Sequence, residues 1–154
     1  MTAEAPAAPA LSYGRLVPVT VHFDDLDALG LLHNARYPLM VERAWGELWR
    51  EYGFGGYEGD WEAAGDACNA VRELRIGYEA PVSRPGVYAV HLWLERLGTT
   101  GLTYGFRFCS ADGTVTYARG SRVLVRLDPV TLRPAPWSEP FRAVGRELLH
   151  PDRR

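Results

Sequence analysis

His22-Phe23-Asp24-Asp25-Leu26-Asp27-Ala28-Leu29-Gly30-Leu31-Leu32-His33-Asn34-Ala35-Arg36-Tyr37 joins two segments of different periodicity, and that change of period decides the fold. Before it, from Arg15 to Phe23, the side chains alternate, with Val17, Val19, Val21 and Phe23 on one face. A period of two is the signature of a half-buried strand, and Pro18 within it indicates an edge or strand-end position. After it, Tyr37, Val41, Ala44, Leu48 and Tyr52 recur at helical spacing, with Trp45 and Trp49 widening the stripe. That pattern predicts one long amphipathic helix. Asn34 is an N-cap by residue type, which places Pro38 near the end of the first turn.

Further along, Gly53, Gly55 and Gly56 end the helix and open a polar connection to about Ala67. Four more strands follow. Leu74, Ile76 and Tyr78 alternate with Arg75, Gly77 and Glu79, and Tyr88, Val90, Leu92 and Leu94 alternate with Ala89, His91, Trp93 and Glu95. Leu102, Tyr104, Phe106 and Phe108 form a third set, and Val115 through Leu127 a fourth. Gly98 to Gly101 and Ala111-Asp112-Gly113 have hairpin-turn chemistry, so the last three strands are expected to form an antiparallel meander. Pro134, Pro136 and Pro140 stop the sheet, and Phe141 to Leu149 reads as a short terminal helix.

One strand, one long helix and four strands make a two-layer α+β domain, because the helix must bury its stripe against the apolar face of the sheet. One helix cannot cover five strands, and the excess apolar surface predicts self-association. The chain has 154 residues with 47% hydrophobic content, enough for one core, and the expected division is a disordered tail over 1–12 and one domain over 13–150. All 17 basic residues are arginine, which reads as codon bias, and the net charge is -2. Such a balance provides no global positive field for nucleic acid or an anionic membrane, and neither is an expected partner. Cys68 and Cys109 stand far apart in no metal-like spacing, Met1 to Ser12 lacks the charged start of a secretory signal, and no apolar run reaches membrane-spanning length. A cytoplasmic location is expected.

Chemistry is concentrated in the opening stretch. Asp24, Asp25 and Asp27 lie between a strand end and a helix start, where backbone N–H groups and the helix dipole favour anions. Carboxylates there also suit a solvated loop, a cap or a hard-cation site, although no partnered cluster of His, Asp or Glu accompanies them.

The string Phe23-Asp24-Asp25-Leu26-Asp27-Ala28-Leu29-Gly30, followed by His33-Asn34-Ala35-Arg36-Tyr37 and Glu42-Arg43-Ala44, resembles the signature of the 4-hydroxybenzoyl-CoA thioesterase-like branch of the hotdog superfamily. Ile76-Gly77-Tyr78-Glu79-Ala80-Pro81-Val82 and Asp112-Gly113 extend the resemblance from about Leu16 to Pro134. It implies a five-stranded antiparallel sheet wrapped around one long helix, assembled as a homodimer or homotetramer. It implies hydrolysis of an acyl thioester, carried by coenzyme A or an acyl-carrier protein, with no cofactor and no metal. Asp27 is implied as the catalytic carboxylate, either nucleophile or general base, and a backbone N–H at or near His33 as the oxyanion donor. Gly30, Asn34 and Tyr37 are candidate substrate contacts, with Asn34 equally suited to an N-cap and Tyr37 by its type more often a core residue than a ligand contact. Arg84, Arg96, Arg119 and Arg122 are candidates for coenzyme A phosphates on a rim. Two other readings stand beside hydrolysis: a hotdog dehydratase or hydratase using His33 with Glu42 or Glu47, and a non-catalytic acyl-ligand binding protein.

Overall fold

The computed structural model describes residues 11–54 and 62–153. Most of the expected N-terminal tail and the middle of the polar connection lie outside the described residues. Five strands form one antiparallel sheet: β1 (Arg15–Val21), β2 (Asn69–Tyr78), β3 (Gly86–Leu97), β4 (Gly101–Ser110) and β5 (Thr116–Arg126), in the spatial order β1-β3-β4-β5-β2. β3, β4 and β5 form the expected meander, while β1 adds to β3 at one edge and β2 to β5 at the other. Helix α1 (Arg36–Glu51) lies against the sheet, and α2 (Glu139–Leu148) follows the proline-rich segment. This is the hotdog arrangement, in one domain.

The core is the meeting of the two periodicities. Tyr37, Met40, Val41, Ala44 and Leu48 of α1 are buried, and so are Leu92, Leu94, Tyr104, Phe106, Phe108 and Leu124 of the sheet. Each large side chain withdrawn from water contributes about 1.5–3 kcal/mol of transfer free energy. Trp45 stacks on Tyr104 with ring centroids 3.9 Å apart, and Trp49 stacks on Phe141 of α2 at the same separation. The second stack fastens α2 beside the C-terminal half of α1. Pro18 sits on the edge strand β1, opposite Ala89, as its missing N–H requires.

Three expectations change. Phe23 does not continue the buried face of β1 but is 83% exposed, because the Asp25 carboxylate accepts the His22 N–H at 2.8 Å and turns the chain out of the strand into a short 3-10 turn, Phe23–Asp25. Asn34 does not cap α1. Ala35 occupies that position, and its N–H donates to His33 Nδ1 at 3.0 Å. In β2, Val71, Leu74 and Tyr78 stay exposed, since among the described residues nothing covers the outer edge of the sheet.

Both cysteines are buried and unpaired. Among the described residues no helix is long and apolar enough to cross a membrane.

Candidate active site

Asp27 opens a tight turn that its own carboxylate organises. Its N–H donates to the Leu31 carbonyl at 2.7 Å, and its carbonyl accepts the Gly30 N–H at 2.9 Å. Oδ1 accepts the N–H groups of Leu29 at 2.8 Å and Leu31 at 3.2 Å. Such an arrangement is an Asx-type turn, and it leaves Oδ2 without a hydrogen bond among the described residues. Gly30 supplies the backbone conformation the turn needs, with φ of 74°. It does not line the cavity beside Asp27.

That cavity has a volume of about 300 Å³ and is lined by Asp27, Leu31, Leu32, Asn34, Tyr37 and Tyr78, with Glu79, Ala80 and Pro81 at its rim. Three of the sequence-derived candidates, Asp27, Asn34 and Tyr37, therefore share one space. Tyr37 is buried and meets Tyr78 and Phe108 edge-on, with centroids 5.2 and 5.1 Å away. Burial raises its phenol above the ordinary tyrosine range, and a backbone hydrogen bond from Val82 opposes the rise. Sequence reasoning missed Tyr78 and Glu79 as neighbours of Asp27. Tyr78 donates its hydroxyl hydrogen to the Asn34 carbonyl at 3.0 Å, tying the end of β2 to the start of α1.

The backbone amides here are not equivalent. The His33 N–H donates to the Asp25 carbonyl at 3.0 Å and the Arg36 N–H to the His33 carbonyl at 2.8 Å. Among the described residues the Asn34 N–H has no acceptor. The Asn34 N–H is therefore an unoccupied donor beside the cavity, within the stretch at or near His33 where a donor was expected. His33 itself is exposed, and its imidazole accepts the Ala35 N–H rather than meeting Glu42 or Glu47. Glu47 pairs with Arg50 and Glu42 approaches Arg122, so the dehydratase pairing is not assembled.

The neighbouring carboxylates are engaged elsewhere. Asp25 is buried, holds the His22 N–H and faces Arg36 Nε at 3.8 Å, which makes it a brace for the turn. Asp24 is exposed. Among the described residues no three His, Cys, Asp or Glu side chains gather where they could hold a metal ion.

Against known families, the thioesterase superfamily model matches residues 29–117, more than half of the chain. The chain belongs to the thioesterase superfamily. Thioester hydrolysis is its activity at the level of family. The match begins just after Asp27, so the aspartate's case rests on the geometry above. Among relatives of this thioesterase, the acyl-CoA thioester hydrolase YbgC of Escherichia coli is 26% identical over 117 residues, covering 76% of this chain and 84% of that one. A Thermus thermophilus thioesterase solved with coenzyme A and zinc superposes with a TM-score of 0.69 at 27% identity, over 86% of this chain and 92% of that one. A Pseudomonas aeruginosa structure, at 22% identity, reaches a TM-score of 0.80 over 90% of this chain and 94% of its own, a likeness of fold.

The arginine candidates of this thioesterase separate. Arg122 is buried rather than on a rim: Nη2 donates to the Pro38 carbonyl at 3.2 Å, and Nη1 lies 3.9 Å from Glu42. Its charge beside Tyr104 works against burial, which still pushes that phenol up to about 12. Arg119 is held by Glu79 through two contacts of 2.5 and 3.3 Å. Arg84 is exposed, and Arg96 lines a different cavity. A roomier space of about 490 Å³ lies beside the C-terminal half of α1, walled by Trp45, Trp49, Phe54, Trp137 and Phe141, and shares no residue with the Asp27 cavity.

Proposed function

We propose that this chain hydrolyses an acyl-CoA thioester, or the same thioester on a carrier protein, in the cavity beside Asp27, as a member of the 4-hydroxybenzoyl-CoA thioesterase-like branch. The observation that carries the reading is the pairing, in one cavity, of a carboxylate oxygen and a backbone N–H at the start of α1 that, among the described residues, have no hydrogen-bond partner. A thioester carbonyl seated there accepts the Asn34 N–H. The dipole of a sixteen-residue helix, about half an elementary charge at its start, favours the oxyanion that develops.

Asp27 then acts in one of two ways. Its carboxylate attacks the carbonyl carbon, the C–S bond breaks, the thiolate leaves and the resulting anhydride is opened by water. Alternatively it takes a proton from water, whose oxygen attacks the same carbon, and the thiolate leaves from the tetrahedral intermediate. In either course Oδ1 stays fixed by the turn while Oδ2 does the chemistry. Tyr37 and Tyr78 supply an aromatic wall for the acyl group.

The working unit of this reading is a homodimer or homotetramer. The exposed Val71, Leu74 and Tyr78 on the unpaired edge of β2 support it, because an open apolar edge invites a second strand. Unpaired buried cysteines fit a reducing cytoplasm.

A panel of aliphatic and aromatic acyl-CoAs, followed by thiol release, tests the function, with enoyl-CoA hydration run alongside. Thiol release without hydration is the expected outcome; hydration without thiol release would assign the dehydratase chemistry instead.

A further inference from the structure

Two of the cavities lie along one flank of α1. Pro38, Glu42, Trp45 and Trp49 follow Asn34 at helical spacing, on the side where Tyr78 of β2 reaches the Asn34 carbonyl and Arg122 of β5 the Pro38 carbonyl. The Asp27 cavity, with Asn34 and Tyr78 in its wall, lies at the start of this flank, and the aromatic space, with Glu42, Trp45 and Trp49, at its end.

Alternate residues of β5 mark the same course on the sheet. Ala118 is opposite Tyr78, Arg122 is opposite Leu74, and Leu124 lines the aromatic space. Arg122 thus stands four residues, about 13 Å, from the Asp27 end and two residues, about 7 Å, from the aromatic end. It is 5% exposed, and its guanidinium is fastened to the helix by the Pro38 carbonyl at 3.2 Å and Glu42 at 3.9 Å. Its Nε has no hydrogen-bond partner among the described residues. A guanidinium that has already given up most of its water cannot take an alkyl chain against it without losing the polar contacts that remain, so it bars apolar groups by its charge as well as its bulk.

We propose that Arg122, held by Glu42 and Pro38, closes the acyl end of the Asp27 cavity and sets the longest acyl chain that the site accepts, an inference that rests on the thioesterase reading above. The acyl group enters beside Asp27, runs along the flank of α1 past Ile76 and stops at the guanidinium. The aromatic space beyond, although larger, stays out of its reach. Arg122 selects the substrate and makes no contact with the reacting atoms.

Calorimetric titration of the full chain with S-alkyl coenzyme A thioethers, from ethyl to decyl, reads this limit without turnover. Each CH₂ group that is buried tightens binding about fourfold, so affinity for the natural chain is expected to rise over the first members of the series and to level off before decyl. Arg122→Met puts a flexible apolar side chain in place of the guanidinium, and Glu42, being exposed, stays hydrated without its partner. In this variant the rise is expected to continue, with the decyl thioether bound at least about 10-fold more tightly than by the natural chain and the ethyl thioether bound equally. Arg122→Gln, shorter and uncharged yet able to keep the Pro38 hydrogen bond, is expected to move the limit in the same direction, and it decides the matter where Arg122→Met lowers the melting temperature. A rise that continues to decyl in the natural chain, affinity that does not depend on alkyl length, or the same levelling in a folded variant overturns the proposal. A natural chain that shows the limit but releases no thiol from acyl-CoAs would overturn the hydrolysis reading and uphold this one.

Discussion

His91 is a buried base with both ring nitrogens occupied: Nε2 meets the Tyr13 carbonyl at 2.9 Å, and Nδ1 accepts from Arg107 Nε at 3.1 Å. Burial is the main cause that lowers its pKa below the ordinary 6.5; the Tyr13 carbonyl opposes this, and Arg107 and His150 add to it. Above 6.5 the ring is neutral in folded and unfolded chains alike and contributes no pH dependence. As pH falls through 6.5 the unfolded chain takes a proton that the folded chain resists, so stability declines. Melting measured at about pH 7.5 and about pH 5.5 is expected to show that decline, and His91→Gln to make it shallower. An unchanged slope would remove His91 as the cause. This network was not legible beforehand, because Tyr13 and Arg107 are distant in sequence from His91. Asn34 shows the same limit on a smaller scale. Its type says N-cap, but the imidazole of His33 takes the Ala35 N–H first, and among the described residues the Asn34 N–H has no acceptor.

At the scale of elements, periodicity located each strand and helix to within a few residues, since burying one face against another layer is what generated the periodicity. The pattern of β2 was read correctly as a strand, yet Val71, Leu74 and Tyr78 on it are exposed: alternation states which face could be covered, and among the described residues no layer covers it. Helix α2 depends on Ser138, whose Oγ accepts the Phe141 N–H at 3.3 Å and donates to Asp66 at 2.5 Å. Ser138→Ala removes the cap and leaves Asp66 one partner short, with an expected loss of about 1–2 kcal/mol in denaturant unfolding. Because α2 borders the aromatic space and not the Asp27 cavity, hydrolysis per folded molecule is expected to be unchanged. A parallel loss of kcat would tie α2 to the active site.

For the whole molecule, a sheet with one open apolar edge and a single long helix across it accounts for both the expected assembly and the position proposed for the chemistry at the start of that helix. Sedimentation at micromolar concentration is expected to give a dimer or tetramer, and a dominant species at the 17.2 kDa monomer mass would contradict the β2-edge assembly. Turnover by the assembled protein tests the central claim through Asp27→Asn. The amide oxygen of asparagine can still accept the Leu29 and Leu31 N–H groups, so the turn survives while the anionic nucleophile and base are lost. With melting temperature and sedimenting mass checked on the same samples, kcat for acyl-CoA hydrolysis is expected to fall at least about 10²-fold with substrate binding largely kept. Near-normal kcat in a folded, assembled Asp27→Asn protein would contradict the account.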